Sequence, residues 1–154
     1  MKKFVLTLAC ILSISMILSA QDQTTVRKKH FNLDENIALQ GYDPVSYFKG
    51  KPVKGSRENA LNNQGAIYYF STAANKEEFK KDPSKYEPEY GGWCAYAMGE
   101  KGEKVSVDPK TYKIIAGKLY LFYNKFFNNT LTDWNKDEAN LKKKADINWM
   151  KTFK

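Results

Sequence analysis

Two aromatic segments rich in turn-forming residues constrain the fold of this chain more than any other feature. The first is Gly41–Phe48, with the sequence GYDPVSYF, and the second is Tyr90–Ala97, with the sequence YGGWCAYA. Gly41 permits a positive φ, and Pro44 fixes its own φ and holds the residue before it extended. The glycine pair of the second segment indicates a close approach of the backbone. Both segments are therefore predicted to bend the chain sharply.

Short strands and helices are predicted between the turns. The strand predictions are Val45–Phe48, Val105–Val107, a hairpin spanning Ala60–Phe70 with a four-residue loop, and a hairpin spanning Lys113–Tyr123 with Gly117 at the first position of a two-residue loop. The helix predictions are residues 73–81 after an N-cap at Ser71 or Thr72, a 3₁₀ turn at Pro83–Tyr86, Trp93–Met98, and about 124–150 in two segments that meet near Asn135–Asp137. The predicted fold is α+β, with short antiparallel strands, flanking helices and a helical C-terminus.

The N-terminus has the order of an export signal. Two lysines precede an almost wholly apolar run from Phe4 to Leu18, and small residues at positions 19 and 20 precede a polar stretch. This order predicts a signal peptide over residues 1–20, cleaved after Ala20, and a periplasmic or secreted protein. The apolar run is shorter than the roughly 20 residues of a membrane span, so no transmembrane span is expected after cleavage. An uncleaved N-terminal anchor is the alternative.

Chain length and charge limit the number of domains and the kinds of partner that we expect. The chain has 154 residues, with 25 basic and 17 acidic, and removal of residues 1–20 leaves 23 basic against the same 17 acidic. We predict a polar lead-in over residues 21–39 and a single domain over residues 40–150. The basic residues are spread along the chain without a nucleic-acid-binding motif, so nucleic acid is excluded as the expected partner.

Export would leave Cys94 as the only thiol, because Cys10 lies in the signal segment. One cysteine cannot form an internal disulfide. In an oxidising compartment it is therefore buried and inert, reactive, bound to a metal, or paired to another chain.

The combined pattern resembles the YHS-domain family, in the form found on small exported bacterial proteins. The resemblance covers about residues 40–150 and implies a compact α+β domain. Besides the two opening segments it rests on Tyr68–Ser71, Phe79, Asp82–Tyr86, Val107–Pro109, Gly117–Leu121, Tyr123–Asn124, Trp134 and Ala145–Trp149.

The wider family includes modules attached to heavy-metal transport ATPases, and those look like metal-handling modules. They carry cysteines where this chain has Ser46 and Ser71-Thr72. A serine hydroxyl is a poor substitute for a thiolate at a soft metal site, so that site is not carried over to this chain.

A different soft-metal site is predicted around Cys94. Cys94 and Met98 are four residues apart, so they would share a face if Trp93–Met98 is helical. A thiolate and a thioether suit Cu(I), and His30, the only histidine, would be a third ligand if the lead-in folds back. The predicted metal ligands are therefore Cys94, Met98 and His30, and the predicted ion is copper. Four tyrosines would line such a pocket: Tyr42, Tyr47, Tyr90 and Tyr96.

Two other interpretations of the same region stay open. The glycine pair would place Cys94 near a helix N-terminus, which favours the thiolate and suits thiol-dependent redox chemistry. The tyrosines would instead suit a module that binds a small ligand or an envelope protein. The sequence has no Gly-x-Ser-x-Gly elbow, phosphate-binding glycine loop or zinc-ligand spacing, so we expect a binding module rather than an enzyme and predict no catalytic residue.

Overall fold

The computed structural model describes residues 23–152, and the predicted signal peptide lies outside them. Helix α1 covers residues 23–30. The strands that follow are β1 Leu33–Asp34, β2 Ile37–Ala38, β3 Ser56–Asn63, β4 Ala66–Phe70, β5 Asp108–Ile115, β6 Lys118–Phe122, β7 Asn124–Lys125 and β8 Asn128–Asn129. The remaining helices are α2 Ala73–Lys81, α3 Pro83–Tyr86, α4 Ala95–Glu100, α5 Thr130–Trp134 and α6 Glu138–Lys151, with 3₁₀ turns at Leu39–Gly41, Ser46–Lys49 and Glu89–Gly92. The predicted α+β class and its helical C-terminus are confirmed. Within residues 23–152 no helix is both long and apolar enough to cross a membrane.

The main sheet has four strands in the order β1-β2-β4-β3. β4 pairs with β3 in antiparallel register and with β2 through the single parallel pair Ile37–Ile67. Alternate residues of β4, namely Ala66, Tyr68 and Phe70, are buried, because successive side chains of a strand point to opposite faces. The lead-in strands β1 and β2 are thus part of this sheet.

Four hairpins in the described chain turn through two-residue loops, and the first is β1–β2, where Asp34 pairs with Ile37 and the loop is Glu35-Asn36. Asn63 pairs with Ala66, so the predicted four-residue loop after β3 is wrong and the loop is Gln64-Gly65. Ile115 pairs with Lys118, so the loop of the β5–β6 hairpin is Ala116-Gly117 and glycine takes its second position. Both residues of each loop have positive φ, as in the type I′ turns that match the twist of the strands.

The fourth hairpin replaces the start of a predicted helix. Residues 124–129 form β7, a loop at Phe126-Phe127 and β8. The helical region begins only at Thr130, where the Asn129 side chain accepts the N–H of Leu131 as an N-cap. The prediction of two helical segments that meet near residues 135–137 is confirmed by α5 and α6.

A buried carboxylate organises the first aromatic segment. Asp43 Oδ1 accepts the N–H of Val45 (2.9 Å), and Oδ2 accepts the N–H and the hydroxyl of Ser71 (2.8 and 2.7 Å) and the amide of Asn75 (2.6 Å). Four donors replace the water that this carboxylate loses on burial. The Asp43 carboxylate therefore joins the turn before Val45 to the start of α2.

The predicted strand Val45–Phe48 is wrong, because this segment forms the 3₁₀ turn Ser46–Lys49. The Asp43 side chain accepts the N–H of Val45, and the Asp43 carbonyl accepts the N–H of Ser46 (3.1 Å). These bonds hold the chain in a tight turn and leave no extended strand. The predicted strand Val105–Val107 is also wrong, since β5 begins at Asp108.

Strand β6 separates two clusters of buried side chains within the described residues. Leu119 and Leu121 face the cluster that includes the main sheet, whereas Tyr120 and Phe122 face the cluster between α4 and α6. A strand can line two cores because its side chains alternate between its faces. We call these the sheet cluster and the helix cluster.

Candidate functional site

The 3₁₀ turn Glu89–Gly92, which has several positive φ values, positions Cys94. Tyr90, Gly91 and Gly92 have φ values of 54°, 60° and 86°. A Cβ on Gly91 would lie 2.8 Å from the Phe31 ring and 2.9 Å from the Trp149 ring, so this position requires glycine. The turn brings Cys94 against β6, where it forms a parallel bridge with Leu121.

The Cys94 side chain is buried, with 0 % exposure. Its Sγ accepts the N–H of Tyr123 at 3.3 Å and lies 3.4 Å from Thr130 Oγ1. The Thr130 hydroxyl donates to the Tyr123 carbonyl at 3.0 Å, so the thiol is the donor in its contact with Thr130. The surrounding hydrogen bonds are therefore complete with a neutral thiol.

A cleft of about 300 Å³ opens above this sulfur, and we call it the Cys94 cleft. Cys94 and Thr130, both buried, form its floor, and the half-buried rings of Tyr96 and Tyr123 stand at its walls. The remaining lining residues are Ala97, Glu100, Lys101, Glu103, Val105 and Asn128. Its volume falls at the lower end of the range for small-molecule sites.

The rim of the Cys94 cleft is acidic on balance. Glu100 and Glu103 oppose the single ammonium of Lys101, and all three side chains are exposed. Burial raises the pKa of Tyr96, and the Glu100 carboxylate raises it further, so this phenol stays neutral. Neutral phenol faces and carboxylates both attract cations.

Cys94 and Met98 lie on different sides of α4. Cys94 precedes the helix as its N-cap residue and belongs to the sheet cluster, whereas Met98 is fully buried in the helix cluster. The backbone N–H of Met98 bonds to the Cys94 carbonyl at 3.0 Å. Their backbones are thus joined by a hydrogen bond, but their side chains pack into separate clusters, and Met98 does not line the Cys94 cleft.

His30 lies at the end of α1, and its Nδ1 is 3.1 Å from Lys104 Nζ. Burial lowers the pKa of His30, and the ammonium groups of Lys104 and Lys29 lower it further. The same ammonium groups repel a metal cation. No group of three or more His, Cys, Asp or Glu side chains within residues 23–152 is arranged to hold a metal ion. Copper binding by Cys94, Met98 and His30 stays a prediction.

Of the four tyrosines predicted to line a pocket, Tyr96 lines the Cys94 cleft. Tyr47 and Tyr90 donate their hydroxyls to the Pro109 carbonyl (2.8 Å) and to Asp146 (2.9 Å). Tyr42 is buried beneath the Lys54 ammonium. These three tyrosines pack the interior instead.

Sequence reasoning missed several residues of the cleft. They are Tyr123, Thr130, Asn128, Glu100 and Glu103. Tyr123 could be placed only by knowing that Cys94 pairs with β6, and no local signal in the sequence carries that pairing.

The positions that hold cysteines in the ATPase-linked modules do not fit a soft metal here. The Ser46 hydroxyl donates to the Asp43 carbonyl (2.6 Å) and accepts the N–H of Val53 (2.9 Å). The Ser71 hydroxyl donates to the Asp43 carboxylate. Both serines are engaged in the hydrogen bonds around Asp43, and neither offers a soft ligand.

A scan of protein-family models, a search of curated proteins and a search of solved structures each found no match to this chain. Fold and site together define a small α+β protein with an aromatic-walled cleft above a buried cysteine. The YHS resemblance stays a prediction that rests on the sequence motifs.

Proposed function

We propose that this protein is an exported binding module of the YHS type that holds a small ligand in the Cys94 cleft. The observation that supports the proposal is the construction of the cleft, with aromatic walls, a buried floor and a charged rim. Ligand sites combine apolar walls with a few polar groups that fix orientation. The order of charged, apolar and small residues at the N-terminus supports export.

The charge of the rim favours a ligand with a positively charged group. Glu100 and Glu103 outnumber Lys101, and the rings of Tyr96 and Tyr123 offer faces to an apolar body or a cation. The favoured ligand is thus a small organic amine with an apolar body.

Two probes of similar shape and opposite charge test this proposal. Phenethylamine and phenylacetate are titrated into the protein by calorimetry. We expect saturable binding of the amine and weaker binding of the acid. Glu100→Gln with Glu103→Gln should remove the preference, and Lys101→Gln should increase it.

A matched pair of tryptophan variants locates the binding site. Val105→Trp fills the Cys94 cleft, whereas Ile147→Trp adds the same ring to a separate concavity beside α6. Amine binding should be lost in the first variant and kept in the second. Equal amine binding by the two tryptophan variants would overturn the proposal. So would a failure of the parent protein to bind phenethylamine or phenylacetate at millimolar concentration.

Copper handling through Cys94 is the second candidate, because its sulfur lines the cleft. A Cu(I) titration under a competing chelator, run beside Cys94→Ser, tests it. Tight stoichiometric binding that the variant loses would support copper, and the variants Met98→Leu and His30→Gln would then identify further ligands. Equal binding by parent and variant would exclude it. Rapid alkylation of Cys94 near neutral pH would instead support thiol chemistry.

A further inference from the structure

The β7–β8 hairpin projects two phenylalanines into solvent. Phe126 is 88 % exposed and Phe127 is 111 % exposed. Their φ values are 51° and 65°, in the left-handed region that L side chains rarely adopt. We call these two residues the phenylalanine tip.

The other two-residue loops of the described chain show what is unusual about this tip. Gln64-Gly65 and Ala116-Gly117 place glycine at their second position, and Glu35-Asn36 places asparagine there. Both residue types tolerate a positive φ. The phenylalanine tip has no glycine and no polar residue. It combines backbone strain with exposed apolar surface, and neither ring is in contact with the two clusters of the core. Packing within the described residues therefore does not explain the tip.

The chain around the tip is basic. Residues 109–132 contain four lysines and no acidic residue. Lys113 and Lys118 pair with Glu138 and Glu89, whereas Lys110 and Lys125 form no ion pair within residues 23–152.

One unpaired lysine adjoins the phenylalanine tip, and the other adjoins a residue that bonds to strand β7 of the same hairpin. Lys125 directly precedes it, and Lys110 precedes Thr111, whose hydroxyl accepts the side-chain amide of Asn124 at 3.0 Å. Exposed rings and uncompensated ammonium groups therefore occur in the same part of the molecule.

We propose that the phenylalanine tip docks on an anionic phospholipid bilayer. The two rings enter the boundary between headgroups and acyl chains, and Lys125 and Lys110 lie beside lipid phosphates. A protein partner fits less well, because a convex two-residue tip offers far less than the roughly 800 Å² per partner of a stable interface. The proposal does not depend on the ligand of the Cys94 cleft.

The decisive variant is the double substitution Phe126→Asn with Phe127→Gly. It gives the loop the Asn-Gly sequence that suits two positive φ values, so it should raise the melting temperature. Affinity for vesicles of phosphatidylcholine and phosphatidylglycerol should fall by about tenfold or more, since two apolar side chains no longer insert. A rise in stability together with a loss of binding cannot come from misfolding.

Control variants distinguish insertion of the phenylalanine tip from non-specific vesicle binding by other exposed apolar side chains. The parent protein and all variants are expressed in the same way, so that they share the same processed N-terminus. Met150→Ser removes another exposed apolar side chain, 61 % exposed on α6, and should leave vesicle binding unchanged. Lys110→Gln and Lys125→Gln should each weaken binding about fivefold on anionic vesicles and not on pure phosphatidylcholine.

A tryptophan at the tip reports insertion directly. In Phe127→Trp, brominated lipids should quench fluorescence beyond the level seen in the parent protein. Equal quenching in both proteins, or equal vesicle binding by the parent and the Asn-Gly variant, would overturn the proposal. Self-association by sedimentation that the Asn-Gly variant abolishes would also overturn it and assign the tip to a second copy of the chain.

Discussion

Asp43 shows how much of this fold depends on one side chain. Its carboxylate is fully buried and accepts four hydrogen bonds from three residues. Asp43→Asn places an amide donor against groups that are themselves donors. We expect a loss of about 2–4 kcal/mol in the free energy of unfolding, measured by urea denaturation.

The matched control for that prediction is Ser71→Ala, which removes one side-chain donor and leaves the carboxylate in place. It should cost about 1 kcal/mol. If Asp43→Asn costs no more than this control, the carboxylate does not organise the segment as we describe.

His30 provides a test of local electrostatics, since it is the only histidine of the chain and its titration can be followed by NMR without overlap from another imidazole. Its pKa is lowered by burial and by Lys104 and Lys29. The neutral imidazole therefore stabilises the fold above the ordinary pKa of about 6.5, and this contribution is lost as the pH falls through the lowered value.

Lys104→Gln should raise the His30 pKa toward its ordinary value. Lys29→Gln should raise it less, because the Lys29 ammonium has the smaller effect. If the pKa of His30 in the parent protein is at or above its ordinary value, the short distance between His30 and Lys104 is contradicted.

At the scale of elements, Gly91 lies in close contact with Phe31, which follows α1, and with Trp149 of α6. Gly91→Ala forces a methyl group against Phe31 and Trp149, whereas Gly117→Ala, also at positive φ, meets no atom within 4 Å. We expect a loss of about 1–2 kcal/mol from backbone strain in Gly117→Ala. Overpacking should add about 1–3 kcal/mol in Gly91→Ala. Equal losses in thermal denaturation would contradict the close contact.

The elements that the sequence predicts well are those specified by local chemistry. Thr72 accepts the N–H of Asn75 and starts α2 where predicted, and the β5–β6 hairpin follows from its apolar strands and glycine. Val45–Phe48 fails because Asp43 binds partners far along the chain. The helix expected from residue 124 fails because a loop of two phenylalanines carries no turn signal.

The candidate site was predictable only in part, for the same reason. Cys94 and Tyr96 could be selected from their segment, since an isolated cysteine beside aromatic residues is conspicuous. The cleft itself forms where Cys94 meets β6 and the chain after it, so Tyr123 and Thr130 depend on tertiary packing.

At the scale of the whole molecule, a largely buried ion pair joins α1 to the body of the protein. Both terminal nitrogens of Arg27 donate to Glu87, and the Asn63 amide donates to the same carboxylate (2.9 Å). The Arg27 guanidinium also lies over the Phe31 ring, with its carbon 4.4 Å from the centroid. Helix α1 is thereby fixed against β3 and the segment after α3.

Glu87→Gln leaves the Arg27 guanidinium buried without its counter-charge. We expect a loss of about 3–5 kcal/mol in the free energy of unfolding. Hydrogen exchange should show that residues 23–30 lose protection first, because α1 is held through this pair. Unchanged protection of α1 in the variant would show that other contacts fix it.

We propose the Cys94 cleft as the ligand site of the molecule. The most direct test is an amide chemical-shift map of the ¹⁵N-labelled protein titrated with phenethylamine. We predict saturable shifts concentrated within residues 94–105 and 123–130, the two segments that contain the residues lining the cleft. Shifts concentrated elsewhere, such as along residues 137–147 beside α6, or no saturable shifts at all, would contradict the claim.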